Sequence, residues 1–235
     1  MITRLTRQLT MVMTLVALSA SPFVTTSNAQ SKPRAAQAPR SRSVSINGYA
    51  MVGRFTLAAA DSFEAITGKS GGPIFGGGVR VGLPWGNVSW GGPFVDIGAW
   101  RYQTEGERVF VSNGTVYPLN IPVEISLTPI ELSAGWQFRF RRMPKLTPYV
   151  LAGVTSTRYQ ERTPVDTSAD DVDDSFSGYH VSGGAGFRIV RWVGIAGEVS
   201  WTTVPDSIGQ GGVSQAFNES DLGGTSFRVK ITVGR

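Results

Sequence analysis

The chain has 235 residues, with 22 Lys and Arg against 17 Asp and Glu, one histidine and no cysteine. Disulfides and thiolate metal sites are therefore excluded, and a single histidine cannot make up a transition-metal centre, so no metal and no cofactor is expected. The positive balance lies at one end: six of the 22 basic residues precede residue 44 and no acid does, so residues 44–235 hold 16 basic and 17 acidic groups, and no nucleic-acid partner is expected from so even a balance.

Residues 1–29 have the pattern of a secretory signal peptide. Arg4 and Arg7 form a basic start, Leu9 to Leu18 a short apolar run, and Ser27-Asn28-Ala29 a small-residue cleavage site; the apolar run is too short to span a bilayer as a helix. Residues 30–43, "QSKPRAAQAPRSRS", combine Pro, Ala, Ser and basic groups without apolar periodicity and are expected to form a disordered linker. One domain is expected over 44–235.

From Val44 onward alternation with period two recurs, which predicts strands at about 44–58, 73–83, 88–102, 121–140, 147–159, 178–190, 193–203 and 223–234. The last is the plainest, with Thr225, Phe227, Val229, Ile231 and Val233 on one face and Ser226, Arg228, Lys230 and Thr232 on the other. In the fourth segment the apolar set changes phase, from Val123, Ile125 and Leu127 to Ile130, Leu132 and Trp136, and a β-bulge at Thr128-Pro129 is expected there. Connections after the second, fourth and sixth strands are short. Those at about 59–72, 103–120, 160–177 and 204–222 are long and polar. This alternation puts both ends of the domain on the short-turn side, as in an up-and-down antiparallel sheet with an even strand number.

Three features place the apolar face in lipid. The polar face mixes glycines (Gly82, Gly135, Gly184, Gly186, Gly194) with Arg54, Arg80, Asp96, Glu131, Arg139, Arg188, Glu198, Arg228 and Lys230, as a narrow lumen requires if small residues are to leave room for long charged ones. Aromatics gather at strand ends: Trp85, Phe140, Tyr149 and Trp192 by the short turns, and Tyr102, Tyr159, Tyr179 and Trp201 by the long loops. Two such girdles suit the two bilayer interfaces. The segments also reach the ~9–11 residues that a tilted strand needs to cross the hydrocarbon, where only a closed sheet satisfies its backbone. The expected fold is all-β, an eight-stranded antiparallel up-and-down transmembrane β-barrel. Its lumen is just wide enough for side chains to fill. Arg188 or Arg228 is expected to pair there with Glu131 or Glu198, since unpaired buried charges are costly.

On "TPYVLAGVTSTRY", "GYHVSGGAGFRI", "VGIAGEVSW" and the alternating C-terminal strand, the chain resembles the small outer-membrane β-barrels of the OmpA transmembrane-domain, OmpX and OmpW type. The resemblance implies an integral protein of the bacterial outer membrane, in contact with outer-membrane lipid and lipopolysaccharide and inserted by the barrel-assembly machinery. A monomer is expected. The eighth strand closes on "ITVGR" rather than on the aromatic residue common in those families, and the anchoring role that a peptidoglycan-binding domain gives full-length OmpA is not expected.

The leading functional expectation is non-enzymatic: a structural role, with four long loops turned outward toward an extracellular surface partner. The loop residues Asp166, Asp170, Asp171, Asp173 and Asp174 are a candidate weak cation-binding cluster, because hard cations take several carboxylates together. One alternative is passage of a small hydrophobic solute through a lateral opening, as in OmpW-like barrels, with Pro93 and Pro129 marking a gap in the ladder. Another is a lipid A deacylase resembling the PagL type, in which His180, Ser182 and Glu198 would form a triad. Against that reading, Gly183 stands where those enzymes carry Asn, and the alternation places His180 and Ser182 in the lumen. A soluble periplasmic barrel with a ligand cavity is the remaining alternative.

Overall fold

The computed structural model describes residues 44–112, 115–163, 172–209 and 212–234; the signal peptide and linker expected over 1–43 lie outside them. Among these residues eight strands and two short helices follow in order: β1 (Ser45–Leu57), α1 (Ala60–Thr67), β2 (Gly71–Gly82), β3 (Gly91–Ser112), β4 (Thr115–Phe138), β5 (Leu146–Arg162), β6 (Val172–Arg188), β7 (Val193–Thr203), α2 (Gly212–Ala216) and β8 (Gly224–Gly234). Each strand pairs antiparallel with the next, and β8 returns to β1 from Asn47↔Gly234 to Leu57↔Gly224, which closes the barrel.

The outer surface changes character along every strand. Exposed apolar residues run over Ile46–Val52 on β1, Val95–Ala99 on β3, Ile130–Trp136 on β4, Tyr179–Phe187 on β6 and Val193–Trp201 on β7. Beyond this belt the outward positions turn polar, as in Arg101, Gln103, Glu105 and Glu107 on β3. At ~3.3 Å per residue and about 40° of tilt, the two longest stretches, Tyr179–Phe187 and Val193–Trp201, rise roughly 23 Å, close to the ~25 Å apolar band of a membrane barrel. Inside the belt the polarity is reversed, with charged and hydroxyl side chains enclosed.

The expected bulge at Thr128-Pro129 is absent. Both residues pair in register with β5 (Thr128↔Arg158, Pro129↔Thr157), and the irregularity in β4 lies opposite Glu107 and Val109. The apolar residues change phase because the surroundings do. Ile130 and Leu132 face lipid at 57% and 50% exposure, whereas Val123, Ile125 and Leu127 face inward at 1–2%. Above the membrane the barrel follows the rule for a water-soluble protein, apolar inside and polar outside, and the register continues through Thr128-Pro129 without a shift.

That inward apolar set forms a core in the outer half of the barrel. Phe55 stacks obliquely on Trp100 at 5.0 Å and meets Tyr102 edge-on at 6.1 Å, with Leu57, Ile74, Val204 and Leu222 around them. Helix α1 lays Phe63 onto this core. Its free N-terminal amides are capped from the last loop: Asp61 N and Ser62 N donate to the Glu219 carboxylate at 3.1 and 2.8 Å, a favourable place for an anion. At its other end Gly68 adopts φ 70° and donates to the Glu64 carbonyl. Asp221 holds the return into β8, accepting from Val204 N and Gly223 N at 2.6 and 2.7 Å.

Two of the expected loops are largely strand. β3 and β4 run for 22 and 24 residues and pair up to Ser112↔Thr115, so most of 103–120 is a hairpin projecting past the belt. Much of 160–177 belongs in the same way to β5 and β6.

Candidate functional site

Among the described residues, the lumen within the belt holds three cations and three carboxylates brought together from five strands, β2, β3, β4, β7 and β8. Arg228 on β8 donates to both oxygens of Glu131 on β4, Nη1 to Oε2 at 2.8 Å and Nη2 to Oε1 at 2.7 Å, while its Nε donates to Ser226 Oγ at 2.8 Å. Trp100 Nε1 gives Glu131 a third donor at 2.8 Å. Arg228 Nη1 also reaches Glu198 Oε1 on β7 at 3.5 Å. Glu198 Oε2 accepts from Lys230 Nζ at 2.6 Å and from Tyr149 OH at 2.9 Å. Lower in the barrel Arg80 Nε and Tyr49 OH donate to Asp96 at 2.8 and 2.7 Å. The positive charges also lie over aromatic rings: Arg80 is 4.1 Å from the Tyr149 centroid and Lys230 4.5 Å from that of Tyr49.

Arg228 and Glu198 are each only 1% exposed. Such burial is tolerable because the charges balance and each carboxylate accepts several donors. The glycines make room for this arrangement, but for the phenols rather than directly for the charges. A Cβ on Gly78 or Gly98 would lie 2.5 Å from Tyr49 OH, and one on Gly184 would lie 2.8 Å from Tyr149 OH. Tyr149 and Tyr102, expected at the interfaces, are buried inside at 2% and 1%, and Tyr159 also packs against the core. Trp85, Phe140, Trp192, Tyr179 and Trp201 remain on the outer surface. Alternation alone cannot separate an interfacial tyrosine from one whose hydroxyl serves a luminal carboxylate.

Of the nine residues expected in the lumen network, Arg80, Asp96, Glu131, Glu198, Arg228 and Lys230 form it. Three do not. Arg54 is exposed on the outer surface, opposite Pro73 and Phe227, at the outer edge of the belt. Arg139 lies past the end of β4 and donates to Asn87 Oδ1 at 3.3 Å. Arg188 keeps the inward parity of Ser182 but stands exposed at the inner mouth, too low to meet either glutamate, so the pairing is made by Arg228.

The residues of the deacylase reading are separate in space. His180 Nε2 lies 2.7 Å from Ser133 Oγ, Ser182 Oγ donates to Ser200 Oγ at 2.8 Å, and Glu198 is held by Lys230 and Arg228. His180 is 1% exposed. No Ser-His-Glu relay is assembled from these three. At the prolines, the β3–β4 ladder skips the two residues opposite Thr128 and Pro129 but keeps its register on either side, and Pro93 pairs with Trp136.

In the acidic segment, Asp166, Asp170 and Asp171 lie outside the described residues. Asp173 and Asp174 belong to β6. Asp173 receives Arg158 Nε at 2.7 Å, Arg158 Nη2 and Gln160 Nε2, so its carboxylate is engaged with a cation of its own chain. These hydrogen bonds hold the Asp173 carboxyl below the usual range and raise Arg158.

A closed eight-stranded antiparallel barrel with an apolar outer belt and a hydrogen-bonded ionic interior is a transmembrane β-barrel, of the build of the small outer-membrane barrels. Solved structures similar to this chain include the N-terminal barrel domain of OprF from Pseudomonas aeruginosa (9% identity, TM-score 0.44, covering 81% of this chain and 97% of that one). They also include Neisserial surface protein A (11%, 0.46, 81% and 95%) and Ail, the attachment invasion locus protein of Yersinia pestis (12%, 0.45, 82% and 97%). No family model matches the chain, and no curated protein matches it.

Proposed function

We propose that this protein is a structural and surface-contact barrel of the bacterial outer membrane, non-enzymatic, with a filled lumen and an outward-facing extension that meets an extracellular partner. One observation carries the reading: β3 and β4 continue about ten residues past the apolar belt as one paired hairpin. That hairpin bears Phe110, Tyr117, Leu119 and Ile121 exposed toward its tip. Strand hydrogen bonding makes such an arm stiff, and exposed aromatic and aliphatic groups together are the usual mark of a contact surface. Two seals support a non-conducting role: the ion-paired layer within the belt, and the apolar core with its α1 cover above it.

The test is attachment by cells displaying the chain. Wild type is expected to increase cell–cell aggregation or attachment to protein-coated surfaces. The Phe110→Ser/Tyr117→Ser double variant is expected to lose most of that gain while keeping the heat-modifiable gel mobility of a folded barrel. Attachment equal to that of cells lacking the protein would overturn the proposal.

A further inference from the structure

The inner mouth of the barrel is strongly charged, and the lumen network does not neutralise it. The β4–β5 and β6–β7 turns carry Arg139, Arg141, Arg142, Lys145, Arg188 and Arg191, with no acid between Phe138 and Leu146 or between Arg188 and Val193. β5–β6 pairing sets the two turns side by side, and Arg188 N donates to the Lys145 carbonyl at 2.9 Å. Among the described residues none of the six is in an ion pair.

A groove of about 550 Å³ opens between these turns. Arg139, Arg141, Arg188 and Arg191 line it together with Asn47 and Gln137, and among the described residues no carboxylate side chain does. The adjoining space further in is lined by Arg80 and Lys230, whose partners Asp96 and Glu198 are already engaged deeper in the lumen. Guanidinium groups stay charged at any physiological pH. Four of them around one concavity focus a positive potential that calls for an anion.

The chemistry of the groove narrows the choice of anion. Arg188 follows the inward parity of β6, toward the barrel axis, while Phe140 and Trp192 are exposed beside it. The amides of Asn47 and Gln137 offer acceptors as well as donors. A peptide backbone needs both, whereas a phosphate needs donors alone. The segment that leads into β1 carries Lys32, Arg34, Arg40 and Arg42 and no acid, so its charge is wrong for the occupant.

We propose that the inner mouth binds an acidic peptide, whose carboxylates pair with Arg139, Arg188 and Arg191 and whose backbone meets Asn47 and Gln137. The proposal rests on the outer-membrane reading above, which makes this the periplasmic end. Two sources supply such a peptide there: the carboxylate-bearing stem peptides of the cell wall, and acidic segments of exported proteins.

The experiment is fluorescence anisotropy on the purified barrel in neutral detergent, using labelled hexaglutamate and a soluble cell-wall stem peptide as probes. Binding at low salt is expected, weakening at least tenfold in the Arg139→Gln/Arg188→Gln variant and persisting in Arg139→Lys/Arg188→Lys. Gel mobility reports folding of each variant. Binding of the stem peptide assigns the site to the cell wall, and binding of hexaglutamate alone to an exported protein. Absence of binding by both probes overturns the proposal. So does binding that the glutamines leave unchanged, or capture only by nanodiscs containing phosphatidylglycerol. The assay uses no cells, so its failure leaves the surface-contact proposal standing, and the reverse holds too.

Discussion

Arg228 and Glu131 lie 97 residues apart in the chain and close two hydrogen bonds across the lumen, at 2.7 and 2.8 Å. Glu198 is reached by the same Nη1 nitrogen that serves Glu131, at 3.5 Å. One cation thus serves two buried carboxylates, and its loss leaves both short of charge compensation. Arg228→Met is expected to destabilise the barrel by about 3–5 kcal/mol, the cost of stranding a buried charge. Adding Glu131→Gln to that variant is expected to recover part of the loss. Urea titrations of the barrel in detergent micelles measure both, and strictly additive effects would count against a coupled pair.

The same cycle bears on conduction. If the ion-paired layer were the only barrier, removing Arg228 and Glu131 would open a water path. Above it, however, Phe55, Trp100, Tyr102 and Leu127 fill the barrel with apolar side chains under α1. On the filled-lumen proposal, wild type and the Arg228→Met/Glu131→Gln variant are both expected to conduct almost no current in planar bilayers. Steady ion currents in the variant would show that the apolar core does not seal.

Much of this was legible in the sequence, and what was not has a common cause. Alternation located all eight strands, and the polar parity of β7 and β8 gave Glu198, Arg228 and Lys230 their inward direction. Periodicity carries direction but no height. Arg188 therefore reads as a member of the network although it stands at the inner mouth, whereas Arg54 is a miss of direction, since it lies on the outward parity of β1. The phase change at Thr128-Pro129 suggested a defect because one rule of polarity was applied to the whole strand. Strands that leave the bilayer invert that rule. A signal for the long hairpin was present in Asn113-Gly114, the dipeptide most typical of a two-residue β-turn, flanked by residues that do pair, Ser112 with Thr115.

The position of the belt can be tested on a single strand. Ile97 and Arg101 share the outward face of β3, two pleats apart, and both are exposed. Ile97→Arg is expected to destabilise the barrel by roughly 2–4 kcal/mol if it sits near the bilayer midplane, and Arg101→Leu by less than about 1 kcal/mol. Equilibrium unfolding from phospholipid vesicles reads both. Equal effects at the two positions would mean that the hydrocarbon boundary does not fall between them.

The extension has a pH dependence of its own. Arg158 donates to Asp173 through two nitrogens across the β5–β6 ladder outside the belt, and this holds the Asp173 carboxyl below its ordinary value. A carboxyl with a depressed pKa in the folded state lends stability that is complete above its unfolded value, about 4, and that is lost as pH falls through the folded value. The hairpin is therefore expected to behave alike from pH 7 down to about pH 5 and to loosen only below about pH 4. Both partners are exposed, so the effect is local and weakened by salt. Hydrogen exchange of the amides of residues 157–161 and 172–176 measures it. Asp173→Asn is expected to show at pH 7 the lowered protection, relative to the intrinsic exchange rate, that wild type shows only in acid. Exchange in the variant matching wild type at pH 7 would mean that the pair does not hold the hairpin together.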